Sequence, residues 1–275
     1  MITETAYAKV NLALHVRARR ADGYHELESL FAFCADGDRL SAALRDDGRL
    51  TLEIDGPFAE GLDAGDDNLV LRAARLLRDA AGEERGADLH LTKSLPIAAG
   101  IGGGSADAAA ALRLLIGLWQ IDPSTIDLPG IALSLGADVP ACLGSETVFG
   151  SGVGERLEPC DVGLEGPPIL LVNPRLPCPT GPVFKAWDRV DRGPLDPAQW
   201  QGGRNDLQRP ALALVPGIAD VLALLADLPD ASLARMSGSG ATCFALFDTE
   251  ESRDAAEAAV RAARPGWWTM GSVLR

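Results

Sequence analysis

The chain has 275 residues, 47% of them hydrophobic, which allows one large domain or two of ordinary size around a full core and excludes wholesale disorder. With 25 basic against 39 acidic residues the formal charge is −14. That balance excludes a general DNA or RNA binder, which needs clustered Lys and Arg against phosphates, but not a small anionic ligand held in a locally positive site.

The first third reads as strands: Ala6 to Val16, Leu27 to Phe33, Arg39 to Leu44 and the alternating Leu50 to Ile54, each bounded by Gly or Asp. Helical spacing takes over at Asn68, a candidate cap, with Leu69, Ala73, Leu76, Leu77 and Ala80 predicted on one face and Gly82 past the end. Asp88 to Thr92 is a further short strand. A glycine cluster then opens an Ala/Leu-rich helix predicted to reach Trp119, and a second helix is predicted from Asp127, with Pro129 in its first turn, to Gly136. Pro and Gly rise after Gly150, around the apolar strand Ile169 to Val172, and place a domain boundary near 150–160. The remainder predicts a helix over Pro216 to Leu228, a loop Met236–Ala241, a strand Thr242 to Phe247, a helix Glu250 to Ala263 and a strand Trp267 to Leu274.

Five cysteines (Cys34, Cys142, Cys160, Cys178, Cys243) lack any CxxC or Cys/His spacing, and His15, His25 and His90 are scattered. They read as small core residues in a reducing compartment rather than a zinc site or disulfide framework. The opening MITETAYAKVNLAL has no basic leader and no long apolar run, so neither a signal peptide nor a membrane span is expected and the chain reads as cytoplasmic. Basic residues divide into 22 arginines and only three lysines, Lys9, Lys93 and Lys185, which makes each lysine worth explaining.

The most informative stretch is Pro96-Ile-Ala-Ala-Gly-Ile-Gly-Gly-Gly-Ser-Ala-Asp107. Gly100, Gly102, Gly103 and Gly104 remove side chains that would keep a ligand from the backbone, and a helix starting beside them points unpaired N–H groups and its positive dipole end at an anion. Phosphate is the expected ligand, with Ser105 adding a hydroxyl. A Walker loop is excluded because no Lys follows the last glycine, and a Rossmann fingerprint because the third glycine is absent.

The segment instead resembles the phosphate loop of the GHMP kinases (galactokinase, homoserine kinase, mevalonate kinase, phosphomevalonate kinase). Ala8-Lys-Val-Asn-Leu12 resembles that family's N-terminal substrate segment, and Met236-Ser-Gly-Ser-Gly-Ala241 its C-terminal glycine motif. Further matches are Arg20-Ala-Asp-Gly-Tyr-His25, Asp67-Asn-Leu69, Leu135-Gly-Ala-Asp-Val-Pro140, Gly152-Val-Gly-Glu155 and Asn205-Asp-Leu207. Together they resemble the branch acting on a cytidine-diphosphate-linked sugar alcohol in the non-mevalonate isoprenoid route. The fold so implied is α+β, a two-domain α/β GHMP kinase: an N-terminal ATP-binding domain of the ribosomal protein S5 domain 2-like type over 1–155, a C-terminal ferredoxin-like domain over 156–275, and the active site in the cleft. ATP and Mg²⁺ are the implied cofactors, the sugar alcohol and ATP the partners, with no nucleic acid or membrane.

Carried over residue by residue, the resemblance implies Lys9 and Asp138 as the catalytic pair. Asp138 is expected in an extended loop before Pro140; alone it would read as a carboxylate capping backbone N–H groups, and whether it is base or electrostatic anchor stays open. ATP is implied at Pro96, Ala98, Ala99, Gly100, Ile101, Gly102, Gly103, Gly104, Ser105 and Ala106, with Asn68 and Lys93 on the adenine side. Substrate is implied at Asn11, Tyr24, His25, Thr180, Phe184, Gly238, Ser239 and Gly240, with Tyr24-His25 and Phe184 suited to a pyrimidine; Asn205-Asp206 reads nearly as well as a helix cap. The metal ligands stay open, Ser105 being favoured. Two departures stand out. Ala106-Asp107 replaces the family's Ser-Asn, so that Asp107 either points away along the helix or ligates Mg²⁺; and Gly181 is extra beside Phe184. A kinase of another small alcohol, a related decarboxylase and a non-catalytic nucleotide sensor are the competing readings.

Overall fold

The computed structural model describes residues 1–164 and 166–275. The chain forms two compact units, each discontinuous in sequence: unit 1 is Met1–Ala8, Asp36–Ile97 and Gly102–Ser145, and unit 2 is Lys9–Ala35, Ala98–Ile101 and Glu146–Arg275. Two long strands, β1 (Ile2–Arg19) and β2 (His25–Arg45), contribute residues to each unit. β2 is continuous where two strands were predicted. A Cβ on Gly37 would stand 1.9 Å from the Ala6 carbonyl oxygen, so this glycine permits the close passage of β1 and marks no turn.

In unit 1, β2 pairs antiparallel with β4 (Gly86–Thr92), Arg39 opposite Thr92, and β4 pairs parallel with β3 (Leu50–Asp55). A parallel pair requires a crossover, and α1 (Leu69–Ala81) is that crossover. Its ends follow local chemistry: Asn68 Oδ1 accepts from Val70 N at 2.9 Å, and Gly82, at φ 62, donates to the Arg78 and Asp79 carbonyls. The buried stripe is Val70, Ala73, Ala74 and Leu77, whereas Leu76 and Ala80 are exposed, contrary to the predicted face. Alanine at 73 and 74 admits the neighbouring helix α2 (Gly103–Trp119), itself buried at Ala106 and Ala108–Ala111. Helices α3 (Leu128–Leu135), capped by Asp127, and α4 (Val139–Gly144) complete this layer.

In unit 2, β5 (Val148–Gly152) pairs antiparallel with β2, and β6 (Arg156–Pro159) with β5. Both strands escaped the sequence reading, β5 because two of its five residues are glycine and β6 because it is only four residues long. Gly150 is there for space: a Cβ would lie 2.3 Å from the Phe31 ring. The remaining elements are β7 (Pro168–Asn173), α5 (Thr180–Lys185), α6 (Gln208–Leu214), α7 (Ile218–Ala226), β8 (Leu233–Met236), β9 (Cys243–Leu246), α8 (Glu250–Ala263) and β10 (Trp268–Val273). Their four strands form an antiparallel sheet in the order β10-β7-β9-β8, the ferredoxin-like arrangement expected of the C-terminal half. Its core joins Leu170, Val172 and Phe247 to Ile218 and Val221 of α7 and Val260 of α8. Cys178 and Cys243 sit in this core, and of the five thiols only Cys160 is partly exposed.

Candidate active site

Unit 1 presents an open helix start. Gly102, at φ 65, turns the chain into α2 and brings no side chain to cap it. The Ala106 N–H makes a bond back to Gly102 O at 2.8 Å, so the N–H groups of Gly103, Gly104 and Ser105 precede the first turn's ladder. Gly104 is exposed, and Gly103 and Ser105 are half-buried. Backbone donors and the dipole of a 17-residue helix thus converge on an accessible position, an anion site by construction.

Beneath this turn lies a buried ionic cluster. Lys93 Nζ donates to Asp107 Oδ2 at 2.6 Å and to Asp38 Oδ2. Asp38 Oδ1 accepts from the backbone N–H groups of Ser94 at 2.6 Å and Leu95 at 2.8 Å. The three side chains are 3%, 5% and 0% exposed for Lys93, Asp107 and Asp38. Burial pushes the Asp107 carboxyl up to about 7, although the Lys93 ammonium pulls the other way. Burial also works against the Lys93 charge, but Asp107 and Asp38 outweigh it and leave Lys93 above the ordinary lysine value. Asp107 therefore turns into the core toward Lys93 and does not trail along the helix. Asn68 serves as the α1 cap, its Nδ2 donating to Asp63 O at 2.8 Å.

Asp138 is not in extended chain. It is right-handed (φ −84, ψ −16) and stands at the start of α4, with Pro140 in the first turn, where a missing N–H costs nothing. Its side chain does not cap that helix, so the plain capping role is not the one it fills.

In unit 2 three separate segments lock together. Lys9 N donates to Ile101 O at 3.0 Å, Thr242 N to Ala99 O at 3.1 Å, and Ser237 Oγ to Gly100 O at 2.9 Å while accepting from Asn11 N at 3.1 Å. The packing leaves no room for side chains. A Cβ on Gly100 would lie 2.5 Å from Ser237 O, and one on Gly238 2.7 Å from Gly100 O. The Lys9 ammonium, 4% exposed as a residue, donates to Asn11 Oδ1 at 3.2 Å and lies 4.7 Å from the centroid of Phe31. Asn11 in turn donates to Ser29 Oγ at 2.8 Å. Thr180 and Ser239 share a hydroxyl contact of 3.0 Å, and Gly240 packs against Met236. Asn205 donates to the Met236 and Gly238 carbonyls and so braces the glycine motif, while Asp206 accepts from Val16 N and ties the same segment to β1.

The same unit carries an aromatic cluster. His25 lies 5.2 Å from Phe184 and 5.7 Å, edge-on, from Trp187 by ring centroids. The extra Gly181 has not displaced Phe184 from His25. Among the described residues no protein group bonds to the His25 ring nitrogens, and burial, with the Arg19 charge second, holds its pKa below 6.5. A neutral imidazole offers one donor and one acceptor to a ligand edge. Tyr24 is 63% exposed, which rules out core packing as its role.

Asp38, Ser237 and Trp187 were missed. Trp187 follows Phe184 by three residues, just past the end of α5, and Ser237 sits inside the glycine motif. Asp38 gave no local signal, its partners lying 55 to 57 positions away.

For a hard cation such as Mg²⁺, which binds mainly through nucleotide phosphates and water, few protein ligands are needed. Asp107 is closed off by Lys93, and its Oδ1 is buried without a partner. Ser105, half-buried on the open turn, fits as the side chain that would reach such an ion.

The GHMP kinases N terminal domain matches residues 68–146 and the GHMP kinases C terminal domain matches 193–266, and the chain belongs to the GHMP kinase family. It is 56% identical to a 4-diphosphocytidyl-2-C-methyl-D-erythritol kinase of Sphingopyxis alaskensis, over 99% of this chain and 98% of the relative. A crystal structure of 4-(cytidine 5'-diphospho)-2C-methyl-D-erythritol kinase superposes with a TM-score of 0.84 at 37% identity, covering 99% of each chain. Homoserine kinase from Cytophaga hutchinsonii shares the fold, with a TM-score of 0.69 at 18% identity over 98% of this chain and 95% of that one.

Proposed function

We propose that the protein transfers the γ-phosphoryl group of ATP to the 2-hydroxyl of 4-diphosphocytidyl-2-C-methyl-D-erythritol, giving the 2-phosphate and ADP, a step of the non-mevalonate route to isoprenoids. The observation that carries the substrate assignment is the His25–Phe184–Trp187 cluster with both imidazole nitrogens unengaged by protein among the described residues, which suits a planar base with hydrogen-bonding edges. The full-length likeness to kinases of that name points the same way.

Residues Pro96, Ala98 to Ala106, Asn68 and Lys93 are assigned to ATP, with the first-turn N–H groups of α2 on its phosphates. Asn11, Tyr24, His25, Thr180, Phe184 and Gly238 to Gly240 are assigned to the alcohol substrate. Lys9 neutralises charge building on the transferring group. Asp138 takes the hydroxyl proton or orients Lys9; the alkoxide oxygen bonds to the γ-phosphorus as the bond to the β–γ bridging oxygen breaks. Mg²⁺, when bound with ATP, screens the phosphate charge, and Ser105 is its proposed protein ligand. Residues 1–155 and 156–275 are proposed as the two functional domains, and the cytoplasm as the location; no helix among the described residues is long and apolar enough to cross a membrane.

The test is ADP release with this substrate beside homoserine and mevalonate, repeated with uridine in place of cytidine. Preference for the cytidine compound is expected. Faster turnover of homoserine or mevalonate, or indifference to the base, overturns the assignment.

A further inference from the structure

We infer that the Lys93–Asp107 ion pair, seated on Asp38, is a non-covalent closure at the base of the nucleotide loop, and that Asp107 is a positioning residue for ATP. The inference rests on the assignment of ATP to this loop. Residues 93–95 leave β4 and lead into the loop, while Asp107 stands in α2 just after the loop ends, so one contact joins its entry to its exit across 14 positions.

The entry side is anchored heavily. Lys93 N donates to Asp55 O at 2.8 Å, Asp38 takes the next two N–H groups, and a Cβ on Gly56 would lie 2.6 Å from Lys93 O. The exit side is the open turn itself. A Cβ built on Gly103 would stand 3.5 Å from Lys93 Nζ and 3.8 Å from Asp38 Oδ2, which places the cluster directly under the first helical residue.

As a stabiliser the cluster is poor. It sets two carboxylates against one ammonium in the dry interior and leaves Asp107 Oδ1 without a partner, where apolar packing of equal volume often holds a fold as well or better. What such a cluster does supply is direction. The N–H groups of Gly103 to Ser105 bind an anion well only if the turn is held before the anion arrives, because ordering a flexible loop at the moment of binding weakens affinity. Lys93 then contributes to ATP binding through the loop it holds, its ammonium being enclosed by the two acids.

Asp107→Ala leaves Lys93 paired with Asp38, so the fold is expected to persist, checked by thermal melting. Hydrogen exchange of the Ala106–Ala109 amides, the first bonded N–H groups of α2, measured without ligand, is expected to accelerate in that variant while the strand amides of β7 and β9 keep their protection. KM for ATP is expected to rise roughly tenfold, the scale of one lost charge-assisted bond, with kcat and KM for the alcohol within about twofold. Asp107→Asn, which keeps an oxygen for the Lys93 ammonium, is expected to recover most of the wild-type behaviour. Unchanged exchange in Asp107→Ala, equal loss on both substrates, or an Asn variant as impaired as the Ala variant overturns the closure. A wild-type protein that fails to turn over ATP overturns the kinase assignment instead, and the exchange measurement still reads the closure.

Discussion

Two of the three lysines are buried, one in each unit, and each is held by its own set of contacts. Lys93 is gripped by Asp38 and Asp107 within unit 1 and is part of the architecture of a loop. Lys9, in unit 2, donates to a neutral amide oxygen and lies over an aromatic ring, with its backbone tied to the segment at Ile101. Burial of a lysine is thus no measure of its role; the partners are. Two carboxylates enclose the Lys93 ammonium, whereas an amide oxygen and an aromatic ring are among the contacts that hold Lys9 in place.

The largest expected effect tests the chemical side of that contrast. Asp138→Asn is expected to lower turnover by roughly 10²-fold or more, the scale of positioned acid–base groups, while ATP binding, followed by titration, persists. Near-normal turnover would remove Asp138 from the chemistry. The architectural side is tested next: Lys93→Met leaves Asp38 and Asp107 buried together without their cation and is expected to cost about 3–5 kcal/mol in urea denaturation. Adding Asp107→Leu to it should recover much of that loss, and additive penalties would show that the ion pair is not the coupling element.

The two buried histidines repeat the comparison on a smaller scale. Among the described residues no protein group bonds to either His25 ring nitrogen, and Phe184→Ala beside it should raise KM for the cytidine substrate by about tenfold, the range of base–aromatic stacking, with KM for ATP unmoved. Equal changes in both constants would place Phe184 outside the base site. At the α1 cap, Asn68→Ala is expected to cost about 1 kcal/mol of stability, checked by the same denaturation assay.

His15 is committed to the fold: Arg204 N donates to Nε2 at 3.3 Å, and Nδ1 faces Gly193 O at 3.2 Å. That pairing defines the neutral tautomer with the proton on Nδ1. Burial first, and the Arg204 charge second, hold its pKa below 6.5. The stability it contributes is therefore fully present above pH 6.5 and is lost as pH falls from there through the lower folded value. Denaturation at pH 7.5 and pH 5.5 should show a drop that His15→Gln reduces, the smallest change of the set; an identical drop in that variant would assign it to other groups.

What the amino-acid sequence determined by itself was everything carried by neighbours along the chain. Asn68 and Gly82 bound α1 because a side-chain oxygen and a left-handed residue act within one helical turn. The glycines before α2 pointed to an open helix start because bare backbone and a helix start are consecutive, and Lys9, Asn11 and His25 were singled out through short motifs. Only the tertiary structure decided what depends on distant partners. It turned Asp107 inward, because Lys93 and Asp38 are brought to it from other elements. It ran β2 unbroken past Gly37, because β1 passes there, and it set Trp187 beside His25, because helix α5 carries Phe184 toward the strand that begins with that histidine. Hydrogen bonds and steric contacts act over a few ångströms, so a sequence reveals them directly only where chain neighbours are also neighbours in space.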